Sequence, residues 1–454
     1  MTSPDSRFPL TTEVYRIGDA IQRAGGRPLL VGGWVRDCLL GVPHSKDFDL
    51  EVFGLSPKKL QQVLTAFGPV HTVGRHFGVL KLTTREAEYD VSVPRRENKI
   101  GKGHKHFQVE PDPHMTFEEA ASRRDFTINS MGYDFLSRQL LDPFHAQGDL
   151  ETGQLRHVGE SFGEDPLRVL RAMQFVGRFN LHIPEETLAI CRGQDLHELP
   201  PERLWEEFRK LLLHASRPSH GLKYAGPLGI MPYFPELERL AGRPEDWGRT
   251  LAVVDQAAAV RGHNPHQNLV MMTAALCHRM EPPADNGPGP TMEVAVFLAR
   301  LTNETHLTRD VLTLVESLPL PEWLYQRRDA GVSADRPLEG FIRRLALNIP
   351  IPFLLKLAAA RYLAEEEIKK PRPSGEKTQG ETGFPAGDWL EAQARKFGVL
   401  DGPPKPLLQG RHLKELGMTP GPAMGEVVRQ TFELQLDGKI HTLPQALDWA
   451  KTQI

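Results

Sequence analysis

Cysteine is scarce in this sequence. Its 454 residues include three, Cys38, Cys191 and Cys277, too few and too scattered for a disulfide framework or a CxxC metal site. A reducing compartment is the simple reading. Long apolar runs are missing as well. No stretch approaches the ~20 apolar residues of a membrane span, and the segment from Met1 to Val14 has no apolar run of the secretory kind. The expectation is a cytoplasmic protein with no membrane association. Net charge is nearly absent too, 55 Lys and Arg against 58 Asp and Glu, or −3. That balance supplies no global positive field for nucleic acid, so if the protein binds RNA or DNA it must do so with local clusters. What is present is ordinary for a globular chain: 40% hydrophobic and 25% charged residues exclude wholesale disorder, collagen-like sequence and a coiled-coil rod. The length suggests roughly three domains.

Apolar spacing at Val14, Ile17 and Ile21 predicts a helix over 12–24, ended by Gly25–Gly26. Mixed strand and helix patterns continue to about residue 157, and helical patterns dominate beyond it. Residues 365–388 are polar and rich in Pro, Gly and Lys, the composition of a flexible linker. Residues 281–290 are a second soft stretch. Apolar periodicity returns from Trp389 to Ile454.

Two short constellations carry chemistry. Leu29–Leu30–Val31 reads as a buried strand, Gly32–Gly33 follows, and a helix begins. Glycines let a backbone approach an anion, and free N–H groups at a helix start point at it. Arg36, one turn in, would add a charged fork to a phosphate. Next, Asp47–Phe48–Asp49–Leu50–Glu51–Val52 alternates with the period of a strand. Phe48, Leu50 and Val52 share one face, and Asp47, Asp49 and Glu51 share the other. By itself such a strand is a solvated edge. Placed shortly after a glycine cradle, the two aspartates suit Mg²⁺, which takes hard oxygen ligands. Asp90, in a second alternating segment, is the candidate third carboxylate.

These residues resemble the first motif of the polymerase-β nucleotidyltransferase superfamily, in the form found in bacterial tRNA nucleotidyltransferases (CCA-adding) and poly(A) polymerases. Further motifs follow in the family's order over at least residues 29–212. The resemblance implies an α+β nucleotidyltransferase head, a small mixed sheet with helices, then a mostly α-helical neck, body and tail. The boundaries read from the chain are 1–155, 156–235, 236–364, a linker at 365–388, and 389–454.

The basic stretch from Arg95 to His106 matches a mobile loop that in the family is tied to nucleotide selection and terminal A addition. Thr116 and Glu119 form a capping-box signature leading into Arg123–Arg124–Asp125–Phe126–Thr127–Ile128–Asn129, which resembles the family's RRDFTIN motif. The match implies that Arg124 contacts the incoming triphosphate or sugar and that Asp125 and Asn129 contact the sugar. The helix beginning at Glu164–Asp165 resembles the family's EDxxR motif. An Asp accepts from an exocyclic amine while an Arg donates to a ring nitrogen or carbonyl. Cytosine and adenine both present an amine beside an acceptor. The resemblance assigns that choice of base to Asp165 and Arg168, and the triphosphate to Gly32, Gly33, Arg36, Arg124 and Arg171. Gln174 stands where the family usually has another arginine. The segment Pro201 to Leu212 is expected to brace this helix.

In the body, relatives often carry a metal-dependent HD phosphohydrolase. Here His263, His266 and His278 are present, but His278 is followed by Arg279, which cannot ligate a cation. An HD-like scaffold without that activity is expected. The tail from Gly410 to Gly425 predicts two short helices around a Pro-Gly-Pro turn, either a packing module or a contact to the tRNA body. Taken together, the expected activity is addition of C and/or A from CTP and ATP to a tRNA 3′ end, with Asp47 and Asp49 holding Mg²⁺. Poly(A) synthesis, CC addition alone, and an RNA-binding protein without catalysis are the alternatives. RNA would be held by clusters at Arg95–Lys105, Arg168–Arg178 and Lys405–Lys414.

Overall fold

The computed structural model describes residues 6–42, 47–73, 79–99, 107–281, 291–328, 338–369 and 383–454. Lys46, residues 100–106 of the basic stretch, most of the soft stretch at 281–290 and most of the linker lie outside the described residues. Two compact units emerge, one of Met1–Glu207 with Lys223–Tyr233, the other of Phe208–Leu222 with Phe234–Ile454. Among the described residues no helix is long and apolar enough to cross a membrane.

The first unit is built on a seven-stranded mixed sheet. Its strands are β1 (Arg27–Val31), β2 (Asp47–Phe53), β3 (Val70–Val73), β4 (Val79–Thr83), β5 (Glu88–Ser92), and, after the ribbon β6 (Arg95–Lys99) and β7 (Phe107–Pro111), β8 (Gly132–Asp134) and β9 (Gln139–Leu141). The order is β3-β4-β5-β2-β1-β8-β9, while β6 and β7 pair only with each other. The pairing of β2 with β5 is parallel, and the other pairs are antiparallel.

Alternation in β2 does what the pattern predicts. Phe48, Leu50 and Val52 enter a core with Trp34, Tyr89, Val91, Tyr133 and Phe135. Phe48 stacks on Tyr89 with centroids 5.3 Å apart. Helix α1 (Thr12–Arg23) buries Val14, Ile17 and Ile21 against the same core and ends just before Gly25, whose φ of 93° suits glycine. Helix α2 (Gly33–Leu39) starts directly from the glycine pair. Helix α3 (Pro57–Leu64) is capped by the Ser56 side chain. Helix α4 (Phe117–Ala121) has the expected capping box, Thr116 with Glu119. Helix α5 (Ala146–Thr152) precedes α6 (Leu167–Phe179), α7 (Glu185–Arg192) and α8 (Pro201–His214).

The second unit is helical among its described residues. The helix Pro244–Ala259 packs along both Ile351–Lys369 and Pro265–Cys277. The last of these is apolar nearly all round, buried from Leu269 to Cys277, as a central helix must be. Phe208, Phe234 and Phe297 meet edge-to-face. The end of the chain forms the helices Gly410–Glu415, Pro422–Leu436 and Leu443–Lys451. They enclose a small core of Leu408, Leu413, Met424, Val427, Ile440, Ala446 and Ala450.

Candidate active site

The parallel register of β2 and β5 sets the carboxylates. Asp49 lies opposite Asp90, with Asp47 opposite Glu88 and Glu51 opposite Ser92. Lys81 of β4 lies opposite Asp90 in turn and pairs with Glu88 at 2.7 Å. The carboxylates therefore gather on the solvent face of the sheet, opposite the aromatic core. Asp49 is exposed. Even so, the protein packed around it, then Asp90 and Asp47, hold its carboxyl above the ordinary carboxylate range, with Arg124 opposing. Among the described residues no group of three His, Cys, Asp or Glu side chains forms a ready-made metal cage.

The cradle adjoins this face. Gly32 has φ 69° and ψ −133°, a conformation that glycine adopts and other residues resist. A Cβ there would also sit 2.9 Å from Nη1 of Arg124. Arg124 donates from Nη1 to the Asn129 carbonyl and from Nη2 to Glu51, both at 3.1 Å. Glu51, which the alternation placed on the acidic face without a role, is thus the partner of Arg124. A cavity of about 300 Å³ opens here, lined by Glu51, Ser92, Arg95, Arg123 and Arg124 among others.

Arg36 turns inward. It is 4% exposed, and its Nε and Nη2 donate to Asp37 at 2.8 and 2.7 Å while Nη1 donates to the Asn129 side chain. Its guanidinium lies 4.3 Å from the Phe179 ring centroid and 5.3 Å from that of Phe175. The sequence pointed this side chain at a phosphate. In the structure it ties α2 to the 3-10 turn Thr127–Asn129 and to α6.

Asp125 is the hub of the neighbouring network. Its Oδ1 accepts from the Phe126 N–H and from Asn129 Nδ2, at 2.8 and 2.9 Å. Its Oδ2 accepts from Arg171 Nε at 2.7 Å and lies 2.6 Å from Nη2. Burial alone would raise this carboxyl; Arg171, then Asn129 and the Phe126 N–H, outweigh it and hold it below the ordinary range. Glu207, buried on α8, stands 3.8 Å from the other side of Arg171.

The base-reading candidates are one turn apart, the Arg168 N–H donating to the Asp165 carbonyl at 3.0 Å. Asp165 accepts from the Leu167 N–H at 3.1 Å and from Arg203 Nη2 at 3.0 Å. Arg168 donates to the Ser161 and Arg123 carbonyls, both at 2.7 Å. Arg203 therefore performs the bracing expected of its segment, through a contact that no local pattern announces. Gln174 is only 1% exposed. Its amide, oriented with the oxygen toward Arg178, accepts from Nε at 3.3 Å and Nη1 at 3.0 Å.

Comparison with known proteins now has a geometry to rest on. The Poly A polymerase head domain matches residues 29–156. The domain described as "Probable RNA and SrmB- binding site of polymerase A" matches residues 180–240. A Multifunctional CCA protein of Methylobacillus flagellatus is 35% identical over 305 residues, covering 64% of this chain and 69% of the relative. The chain belongs to the tRNA nucleotidyltransferase and poly(A) polymerase family. Similar proteins of the same description from Stenotrophomonas maltophilia (43% identical over 227 residues, 48% of this chain) and Nitrosospira multiformis (36% over 270, 56% of this chain) are matched over 53% and 63% of their own lengths. The chain thus spans about half to two thirds of these relatives. The fold is that of the Bacillus stearothermophilus CCA-adding enzyme solved with CTP, with TM-score 0.68, 20% identity, and coverage of 99% of this chain and 98% of that one. The Thermotoga maritima CCA-adding enzyme solved with tRNA superposes with TM-score 0.58 at 19% identity, covering 98% and 96%.

Within the second unit, His266 faces Asp310 at 3.0 Å. His278 is enclosed, bonded through Nδ1 to the Ala275 carbonyl at 2.8 Å, and burial pushes it down to about 3. Arg279 follows His278 directly. It joins Asp246 and Glu365, at 3.0 and 3.1 Å, so a guanidinium crosslinks the helices Pro244–Ala259 and Ile351–Lys369.

Proposed function

We propose that the protein is a template-independent RNA nucleotidyltransferase that extends tRNA 3′ ends with C and A from CTP and ATP, releasing pyrophosphate. One observation carries the reading: the Asp49 and Asp90 carboxylates stand side by side on parallel strands, beside the Gly32 cradle and Arg124. Relatives named Multifunctional CCA protein and neighbours solved with CTP, ATP and tRNA support the substrate class.

The donor set fits Mg²⁺. Crowded hard carboxylates raise one another's proton affinity, a cation relieves that, and magnesium commonly takes only one or two carboxylates plus substrate phosphates. Bound by Asp47 and Asp49 with Asp90 alongside, the ion would supply charge neutralisation on the phosphates and lower the pKa of an attacking hydroxyl. The protein's own part is positioning. Gly32 and Gly33 let the triphosphate approach the backbone at the start of α2. Arg124 stands between that cradle and the acidic strand, and Arg171 presents its outer donors while Asp125 fixes its orientation. Asn129, locked by Asp125 and Arg36, presents a rigid polar edge to the ribose. Asp165 would accept from an exocyclic amine, and Arg168, anchored on two carbonyls, would donate to a ring acceptor. Cytosine and adenine satisfy that pair; uracil and guanine present the opposite order.

The test is direct. Purified protein is given tRNA lacking CCA, ending in its first C, or ending in CC, with CTP, ATP or both. Stepwise completion to CCA is expected. Extension of the CC-ending tRNA alone would identify an A-adding enzyme, long A tails a poly(A) polymerase, and no extension of any RNA would overturn the catalytic reading.

A further inference from the structure

The arginines around the nucleotide site differ in how their charge is met. Arg36 is matched by Asp37, Arg124 by Glu51, Arg171 by Asp125 and Arg203 by Asp165. Arg168 is taken up by two main-chain carbonyls. Arg178, partly buried near the end of α6, stands apart. Among the described residues no carboxylate forms an ion pair with it, and its contacts are the Gln174 amide oxygen and the Phe179 ring, whose centroid is 4.9 Å from its Cζ. A neutral amide and a ring face orient a guanidinium but do not neutralise it.

We propose that Arg178 is a phosphate-binding residue of the transfer site, and that Gln174 and Phe179 are the positioning residues that hold it there. The inference rests on the nucleotidyltransferase reading given above. Phe179 is shared, with Arg36 at 4.3 Å and Arg178 at 4.9 Å from one ring, so Arg178 is drawn alongside the helix that starts at the cradle. Gln174 and Arg178 are one helical turn apart and face the same way. Burial, then the repulsion of Arg36, lower the proton affinity of Arg178, and the more distant carboxylates of Asp37 and Glu207 offset this only in part. The ligand chemistry that fits is a phosphate oxygen pair, which a guanidinium grips bidentately. A nucleoside triphosphate and the RNA backbone both offer it.

The experiment uses the full chain as Arg178→Ala, Arg178→Lys, Gln174→Arg and the double variant Gln174→Arg/Arg178→Ala. Steady-state KM and kcat are measured for ATP, CTP and the tRNA, with ATP binding measured separately by calorimetry without RNA. Loss of one charge-assisted phosphate contact corresponds to roughly a tenfold weakening. Arg178→Ala is expected to raise the nucleotide KM by that factor with a smaller change in kcat. A rise in the tRNA KM alone would assign the phosphate to the RNA backbone. Arginine placed at 174 in the double variant, one turn away on the same face, should recover most of the loss, which a purely structural role would not allow. Should Arg178→Ala fold poorly, Arg178→Lys and the double variant still decide. Unchanged KM for nucleotide and tRNA in a folded Arg178 variant, or no recovery by Gln174→Arg, would overturn the proposal. The calorimetric arm keeps it separate from the function: a protein that extends no RNA refutes the transferase reading, while ATP binding still reports on Arg178.

Discussion

Replacing Asp125 by Asn should unfasten the network that holds the sugar and phosphate candidates together. The substitution keeps the shape and removes the charge. Asp125 is 8% exposed and receives two N–H donors on Oδ1 and the Arg171 fork on Oδ2. An amide cannot serve all of these, because one of its two ends is itself a donor. Breaking a buried ion pair costs about 3–5 kcal/mol. Arg171 keeps a 30% exposed side chain and has Glu207 at 3.8 Å as a second partner, so the low end applies, about 3 kcal/mol. For a unit of this size that is a fall in melting temperature of about 6–12 °C. Calorimetry of the full chain at pH 7 measures it in the transition of the first unit. The sign of the pH dependence follows from the lowered carboxyl. Its contribution is fully present above the unfolded value of about 3.9 and is lost as pH falls through the lower folded value. The gap between wild type and variant should therefore be constant from pH 8 to 5 and shrink only below about pH 4. A fall of less than about 2 °C, or a gap that changes between pH 8 and 6, would refute the reasoning.

Gly32→Ala forces a side chain onto a backbone suited to glycine and into Arg124. A stability loss of about 1–3 kcal/mol is expected in urea melts, with a larger proportional rise in nucleotide KM as Arg124 is displaced; a normal KM would show that the cradle does not position Arg124. Asp90→Asn should lower kcat by about 10–100-fold and raise the Mg²⁺ concentration needed for half-maximal rate, and an unchanged metal dependence would remove Asp90 from the site. Arg279→Met leaves Asp246 and Glu365 without their crosslink, and denaturant melts should show a loss of about 2–3 kcal/mol in the second unit; equal stability would count against the clamp. His278 should stay neutral down to about pH 4, read by the chemical shifts of its ring protons, since burial holds it near 3. Because unfolding frees it to protonate below about 6.5, His278→Phe should flatten the loss of stability between pH 6.5 and 4, and titration of the native ring near pH 6 would contradict its enclosure.

Much of the head was legible along the chain. The alternation of β2 placed Phe48, Leu50 and Val52 inside and the carboxylates outside, and the α1 period and the Thr116–Glu119 capping box appear as read. These are short-range effects, because strand pleat, helical repeat and turn chemistry depend on residues that are neighbours in sequence. The spacing Asp47–Asp49 and the glycine pair belong to the same class. The partners across the site do not. That Asp49 faces Asp90 depends on the parallel register of β2 with β5, which the whole apolar face of the sheet selects. The inward turn of Arg36 depends on Phe175 and Phe179 arriving from a helix far along the chain, and the burial of Gln174 depends on which face of α6 meets the core. Arg203 reaches Asp165, and Arg279 bridges Asp246 and Glu365, only because packed helices bring those charges within bonding distance, where an unmatched buried ion would be costly. Local chemistry named the residue types and their spacing, and burial decided which charge each would meet.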